Sequence, residues 1–149
     1  MSDALKINVV LMAEDDSDDR LLVRDALSEC SWHADLRFVA NGEELLDYLL
    51  RRGDYSTADA PRPGLILLDL NMPKKDGREV LREIKAHAEL RRIPVVVLTT
   101  SRADTDIQGI YELGANSFIS KPVQFEGLVS LMRVLGQYWF GTVELPLAK

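Results

Sequence analysis

The chain has 149 residues, with 18 Lys+Arg against 24 Asp+Glu for a formal net charge of −6, and 46% of it is hydrophobic. That suffices for one domain around one core, and the acidic balance excludes a general nucleic-acid binder, which needs a Lys/Arg excess over phosphates. No apolar run reaches the ~20 residues of a membrane helix, Met1-Ser2-Asp3 has none of the parts of a signal peptide, and a lone Cys30 fits a reducing compartment, so a cytoplasmic protein is expected.

Residues 7–12 are short, apolar and β-branched, and read as a strand running into the acidic cluster Glu14-Asp15-Asp16. Val23, Ala26, Leu27 and Cys30 then fall at i, i+3, i+4, i+7, the stripe of a helix with one buried face. Residues 36–39 are a weaker strand. Asn41 with Glu44 is a variant capping box opening a helix that carries Leu45, Leu46 and Leu49. Residues 51–64, with Pro61 and Pro63, exceed the usual 2–6 residue connection and read as a surface loop stiffened by prolines. Residues 65–68 form a buried strand; Val80, Leu81 and Ile84 mark a helix; residues 95–98 form another buried strand. Ile107, Ile110 and Tyr111 begin a helical stripe, residues 117–119 are a weak strand, and Leu128, Leu131, Met132 and Leu135 mark the last helix. Five strands alternating with five helices imply βαβ units and a mainly parallel sheet covered on both faces. His33 and His87 fall at helix ends or loops and are expected to be solvated.

Polar residues collect at the strand ends. The first strand ends at Glu14-Asp15-Asp16, the third at Asp69, the fourth at Thr99-Thr100-Ser101 and the fifth at Lys121-Pro122. Ligands of open α/β sheets bind outside the carboxyl ends of the strands, so four strands deliver reactive groups to the edge where a site belongs. Two carboxylates about 5 Å apart repel by roughly 3 kcal/mol at an effective dielectric near 20. Glu14, Asp15 and Asp69 together therefore call for a cation or raised pKa values. Lys121 supplies one charge, and an all-oxygen set selects a hard ion such as Mg²⁺, which borrows oxygens from an incoming phosphate. Asp16, Asp18 and Asp19 have a simpler reading as the cap and acidic first turn of a helix.

These residues closely resemble the receiver domain of two-component response regulators. The resemblance rests on Glu14-Asp15, on Leu67-Leu68-Asp69-Leu70-Asn71-Met72-Pro73 with Asp76-Gly77, on residues 94–99 ending in Thr99, on Gly114-Ala115 and on Ser120-Lys121-Pro122. The loop before Asp69, residues 75–81 and the tail Tyr138-Trp139-Phe140 are similar to the subgroup paired with phytochrome photoreceptor kinases. The resemblance implies a flavodoxin-like, doubly wound α/β fold, a five-stranded parallel sheet of order 2-1-3-4-5 with five helices. It implies that Asp69 takes a phosphoryl group from a histidine kinase, a phytochrome in the narrower assignment, so that the protein is a switch rather than an enzyme. Mg²⁺ would be held by Asp15 directly, by Glu14 through water, by Asp69 and by the backbone carbonyl of Asn71. Lys121 and Thr99 would contact phosphoryl oxygens, Thr100 would stand beside Thr99, and Phe118 would occupy the switch-aromatic position without a tyrosine's hydroxyl.

Three rival functions lose particular residues. A haloacid dehalogenase-type phosphatase needs a second aspartate where Asn71 stands. A flavin mononucleotide binder needs a neutral phosphate loop where Glu14 to Asp19 would repel a phosphate. A phosphorylation-dead scaffold would lack Asp69 or Lys121. The expected organisation is a receiver over residues 1–136 and a C-terminal extension over 137–149, with no output domain, so that signalling runs through partners or a downstream phosphotransfer protein. Tyr138, Trp139 and Phe140 have no obvious core in a monomer, and a homodimer through the last helix and tail is expected.

Overall fold

The computed structural model describes residues 8–146, apart from residues 58, 71, 73, 74 and 100–103 and the side chains of 104–106. Strands β1 (Asn8–Ala13), β2 (Ala34–Val39), β3 (Leu65–Leu68), β4 (Val95–Thr99) and β5 (Ser117–Ser120) alternate with helices α1 (Ser17–Ser28), α2 (Gly42–Leu50), α3 (Gly77–Ala86), α4 (Asp104–Glu112) and α5 (Phe125–Gly141). All pairings are parallel and the order is β2-β1-β3-β4-β5, the flavodoxin-like arrangement. The order reverses between β1 and β3, and this switch point is where such sheets open a crevice.

The pleat explains the continuous apolar strands. Leu11, Ala13, Ile66, Leu68, Val95 and Val97 face a core closed by Leu45 and Leu49 of α2, Val80, Leu81 and Ile84 of α3 and Ile110 of α4. Their neighbours Val10, Met12, Leu65, Leu67, Val96 and Leu98 face Val23 and Ala26 of α1 and Leu128, Met132 and Leu135 of α5. The central strands β1, β3 and β4 bury both faces, which is why their apolar runs are continuous, whereas edge strand β2 is half-buried and alternates Asp35 and Arg37 with apolar residues.

Local signals behave as their chemistry requires. The Asn41 side chain accepts the Glu44 N–H at 2.9 Å, while Glu44 Oε1 accepts from Ala40 N at 2.6 Å, one residue earlier than in the usual box. The segment before β3 is largely exposed, as a surface loop should be, and is anchored locally: a 3₁₀ turn spans Gly53–Tyr55, Ala60 is buried, and the Tyr48 hydroxyl donates to Pro61 O at 2.8 Å. His87 is half-exposed and also caps the turn after α3, its Nδ1 accepting from Glu89 N at 3.1 Å and Leu90 N at 3.2 Å. His33 is exposed. Tyr111 does not join the buried stripe of α4; it stays half-exposed while its hydroxyl accepts the Phe118 N–H of β5 at 3.0 Å.

The end of α5 has a partial home in its own domain. Trp32, between α1 and β2, donates its Nε1–H to Met132 O at 3.0 Å and stacks on Phe140 with ring centroids 5.4 Å apart. Gly136 makes the room, because a β-carbon there would run into the Trp32 indole. Phe140 and Leu145 both lie against Gly64, where a β-carbon would meet each at 3.3 Å. The expectation that a monomer cannot cover these aromatics is thus corrected for Phe140 and for Trp139, which packs partly buried on the α1/α5 side of the core. Tyr138 remains 50% exposed. Helix α5 passes through Gln137 without a break.

Candidate functional site

Three backbone hydrogen bonds assemble the site at the β1/β3 switch point. Glu14 N donates to Val39 O at 2.9 Å, extending the sheet pairing one residue past β1. Asp69 N donates to Ala13 O at 3.2 Å, so the residue after β3 lies beside the acidic pair after β1. Lys121 N donates to Thr99 O at 2.9 Å and fixes the residue after β5 next to the end of β4. Sequence positions more than a hundred residues apart meet because parallel strands end in one plane.

The turn between β1 and α1 is held from both sides. Asp16 caps α1, its Oδ1 accepting from Asp18 N at 2.8 Å and Asp19 N at 3.2 Å. Arg20 Nε donates to Glu14 O at 2.7 Å, and its guanidinium lies over the Phe38 ring at 5.3 Å. After β3, Gly77 N donates to Leu70 O at 3.2 Å. A β-carbon at Gly77 would come within 2.8 Å of Leu70 Cα and 2.9 Å of Asp69 O, so only glycine lets α3 start this close to the aspartate.

Glu14 is 1% exposed and Asp69 8%, whereas Asp15 is open to solvent. Lys121 Nζ stands 2.8 Å from Glu14 Oε1, 3.3 Å from Asp19 Oδ2 and 3.8 Å from Asp69 Oδ2. Burial raises the Glu14 pKa above the ordinary carboxylate value despite its pairing with Lys121. Burial alone would depress the Lys121 ammonium, but Glu14, Asp69 and Asp19 together outweigh it and raise its pKa. Among the described residues the cluster is a crowded acidic pocket with one compensating cation.

One carboxylate oxygen from each of Glu14, Asp15 and Asp69 lies within 4.8 Å of the others. An all-oxygen, doubly buried and singly open set fits a hard divalent ion that keeps waters on its exposed side. Lys121 cannot neutralise three carboxylates by itself. Thr99 is fully buried at the end of β4. Phe118 is partly buried against the α2/α3/α4 side of the core. Asn71 and Thr100 lie outside the described residues. Sequence reasoning missed Asp19, read only as an acid in a helix's first turn; nothing local signals its reach to a lysine 102 residues away.

Comparison with known proteins gives concordant findings. The family model described as the response regulator receiver domain matches residues 10–133. The response regulator Rcp1 of Synechocystis sp. is 42% identical over 140 residues, covering 94% of this chain and 94% of that protein. The crystal structure of its Mn²⁺-bound form superimposes with a TM-score of 0.84 at 42% identity, over 93% of this chain and 99% of that one. The phosphorylated cyanobacterial phytochrome response regulator RcpA gives 0.87 at 40% identity, over 95% and 99%. RPA3017, a response regulator in red light signalling of R. palustris, gives 0.90 at 38% identity, over 95% and 100%.

Proposed function

We propose that this chain, which belongs to the response regulator receiver domain family, takes its phosphoryl group on Asp69 from a phytochrome-type histidine kinase. As a receiver it is a phosphoacceptor switch rather than a catalytic enzyme, phosphorylated on an aspartate by a histidine kinase. The observation that carries the choice of Asp69 is its place after β3, buried, within metal-sharing reach of Glu14 and Asp15 and 3.8 Å from Lys121. The kinase class is supported by the relatives, of which RcpA is a phytochrome response regulator.

In the step itself an Asp69 carboxylate oxygen attacks phosphorus. A new O–P bond forms, the P–N bond to the kinase histidine breaks, and the imidazole leaves with its electron pair and takes a proton. Asp15, Asp69 and the Asn71 carbonyl would hold Mg²⁺, with Glu14 reaching it through water; the ion supplies charge neutralisation for the transferring oxygens. Lys121 pairs with one phosphoryl oxygen, and Thr99, with Thr100 beside it, hydrogen-bonds another. Drawing Thr99 inward vacates space that Phe118 fills, so this receiver signals by packing alone. The output runs through partners in the cytoplasm, a downstream phosphotransfer protein among them.

Tyr138, with the parts of Trp139 and Phe140 that their own domain leaves uncovered, forms one side of a homodimer in this reading. Its support is the exposed pair Val134 and Tyr138 on α5, one helical turn apart and 57% and 50% accessible. Full-length protein is expected to sediment as a dimer at micromolar concentration and a chain truncated after Gln137 as a monomer; a monomeric full-length protein contradicts the interface.

Label transfer from a phosphorylated phytochrome kinase tests the main reading. Wild-type protein is expected to take the label in the presence of Mg²⁺ and Asp69→Asn to take none while keeping its circular dichroism spectrum. Transfer to Asp69→Asn at the wild-type rate rules Asp69 out as acceptor.

A further inference from the structure

We infer that Asp19 is a positioning residue for phosphoryl acceptance, holding the Lys121 ammonium off the acceptor Asp69. The inference rests on the assignment of Asp69 as acceptor.

An ammonium has three N–H donors and no acceptor. Among the described residues Lys121 spends two of them: Glu14 Oε1 is at 2.8 Å and Asp19 Oδ2 at 3.3 Å, whereas Asp69 Oδ2 at 3.8 Å is beyond hydrogen-bonding distance. Coulomb attraction alone would draw the ammonium onto Asp69, a buried carboxylate with acidic neighbours. Two carboxylates pulling from β1 and α1 oppose that collapse and leave the third N–H for a phosphoryl oxygen.

Asp19 is placed rigidly enough to do this. Its own N–H is bound by the Asp16 cap at 3.2 Å. The next residue, Arg20, is anchored through Nε to Glu14 O at 2.7 Å and rests on Phe38. The first turn of α1 is therefore pinned to the end of β1, and the carboxylate it carries faces a lysine that is only 15% exposed. With Asp19 neutral, the freed N–H turns toward Asp69. The ammonium then occupies the place of a phosphoryl oxygen and competes with a divalent ion for the Asp69 carboxylate.

The test compares Asp19→Asn with Asp18→Asn, which removes the same charge from an exposed neighbour in the same turn. Acceptance from phosphoramidate avoids any effect on kinase docking, and Mn²⁺ affinity by calorimetry reads the site without turnover. Asp19→Asn is expected to lower the maximal acceptance rate and to weaken Mn²⁺ binding, each by about threefold beyond Asp18→Asn, as suits a half-exposed ion pair. Asp19→Glu restores part of both. In a Lys121→Met background, Asp19→Asn and Asp18→Asn become equivalent in Mn²⁺ affinity, an outcome that a merely structural aspartate would not produce. Wild-type labelling with Asp19→Asn indistinguishable from Asp18→Asn overturns this inference alone, as does an Asp19→Asn effect undiminished without Lys121. Wild-type protein that takes no label overturns the acceptor assignment and this inference with it.

Discussion

Glu14 and Asp15 are adjacent acids with opposite environments, and the difference sorts their roles. Glu14 is buried, accepts the Asp16 N–H at 3.2 Å and is the nearest partner of Lys121. Replacing it with alanine leaves a largely buried ammonium with weaker partners. Glu14→Ala is therefore expected to lose about 2 kcal/mol of stability in urea unfolding. Asp15 faces solvent beside two like charges, so Asp15→Ala leaves stability unchanged or slightly raised while losing more Mn²⁺ affinity than Glu14→Ala does. Equal metal loss in the two variants, followed by calorimetry, contradicts the division into a direct and a water-mediated ligand. The acidic pair was legible in the sequence; which of the two sits under the sheet edge was not, because burial depends on where Val39 receives the Glu14 N–H.

At the scale of elements, the start of α3 and its end make separate predictions. Gly77 touches backbone at Leu70 and Asp69, and backbone cannot swing aside as a side chain can. Gly77→Ala is expected to destabilise by about 2 kcal/mol and to slow phosphoryl acceptance through displacement of Asp69. A variant with lowered stability and wild-type acceptance would separate α3 from the site. At the other end of α3, Lys85 Nζ donates to Arg91 O at 3.3 Å, Ile93 O at 3.2 Å and the Asn116 side chain at 3.3 Å, all neutral oxygens. Burial lowers its pKa below the ordinary lysine value. The unfolded chain then binds more protons than the folded one between the two pKa values, and the contribution of Lys85 to stability rises with pH across that window, up to the ordinary lysine range. The difference in unfolding free energy between wild type and Lys85→Met should accordingly move in favour of wild type as pH rises. A flat difference removes the titration from Lys85.

For the whole molecule, the acidic pocket couples fold stability to divalent ions. A ligand that binds only the folded state stabilises it by about 2.7 kcal/mol at a concentration a hundred times its Kd. Thermal unfolding is expected to shift upward with Mg²⁺ or Mn²⁺ in wild-type protein and to lose most of that dependence in Asp15→Ala, since one of the three converging carboxylates is gone. An equal shift in both proteins would place the ion elsewhere. The domain that responds is closed by α1 and α5 on one side and by α2, α3 and α4 on the other, and the Trp32–Phe140 stack ties the tail to the α1/α5 side.

The sequence by itself determined the layered α/β fold, because apolar runs too short for helices alternate with stripes at helical spacing. It also determined the candidate acceptor and the acids of the pocket, because an ionisable residue directly after four buried apolar ones is costly to place there unless it has chemistry to perform. What only the tertiary structure decided lies in contacts between distant segments. Asp19 looks like any acid in a first helical turn until β5 brings Lys121 to 3.3 Å. Tyr111 fits a buried stripe until α4 settles with its hydroxyl on β5. Phe140 looks stranded until Trp32 lies over the gap at Gly136. Periodicity reports which face of an element is apolar, not which element will lie against it, and each of these contacts is made by a neighbour that the local pattern does not specify.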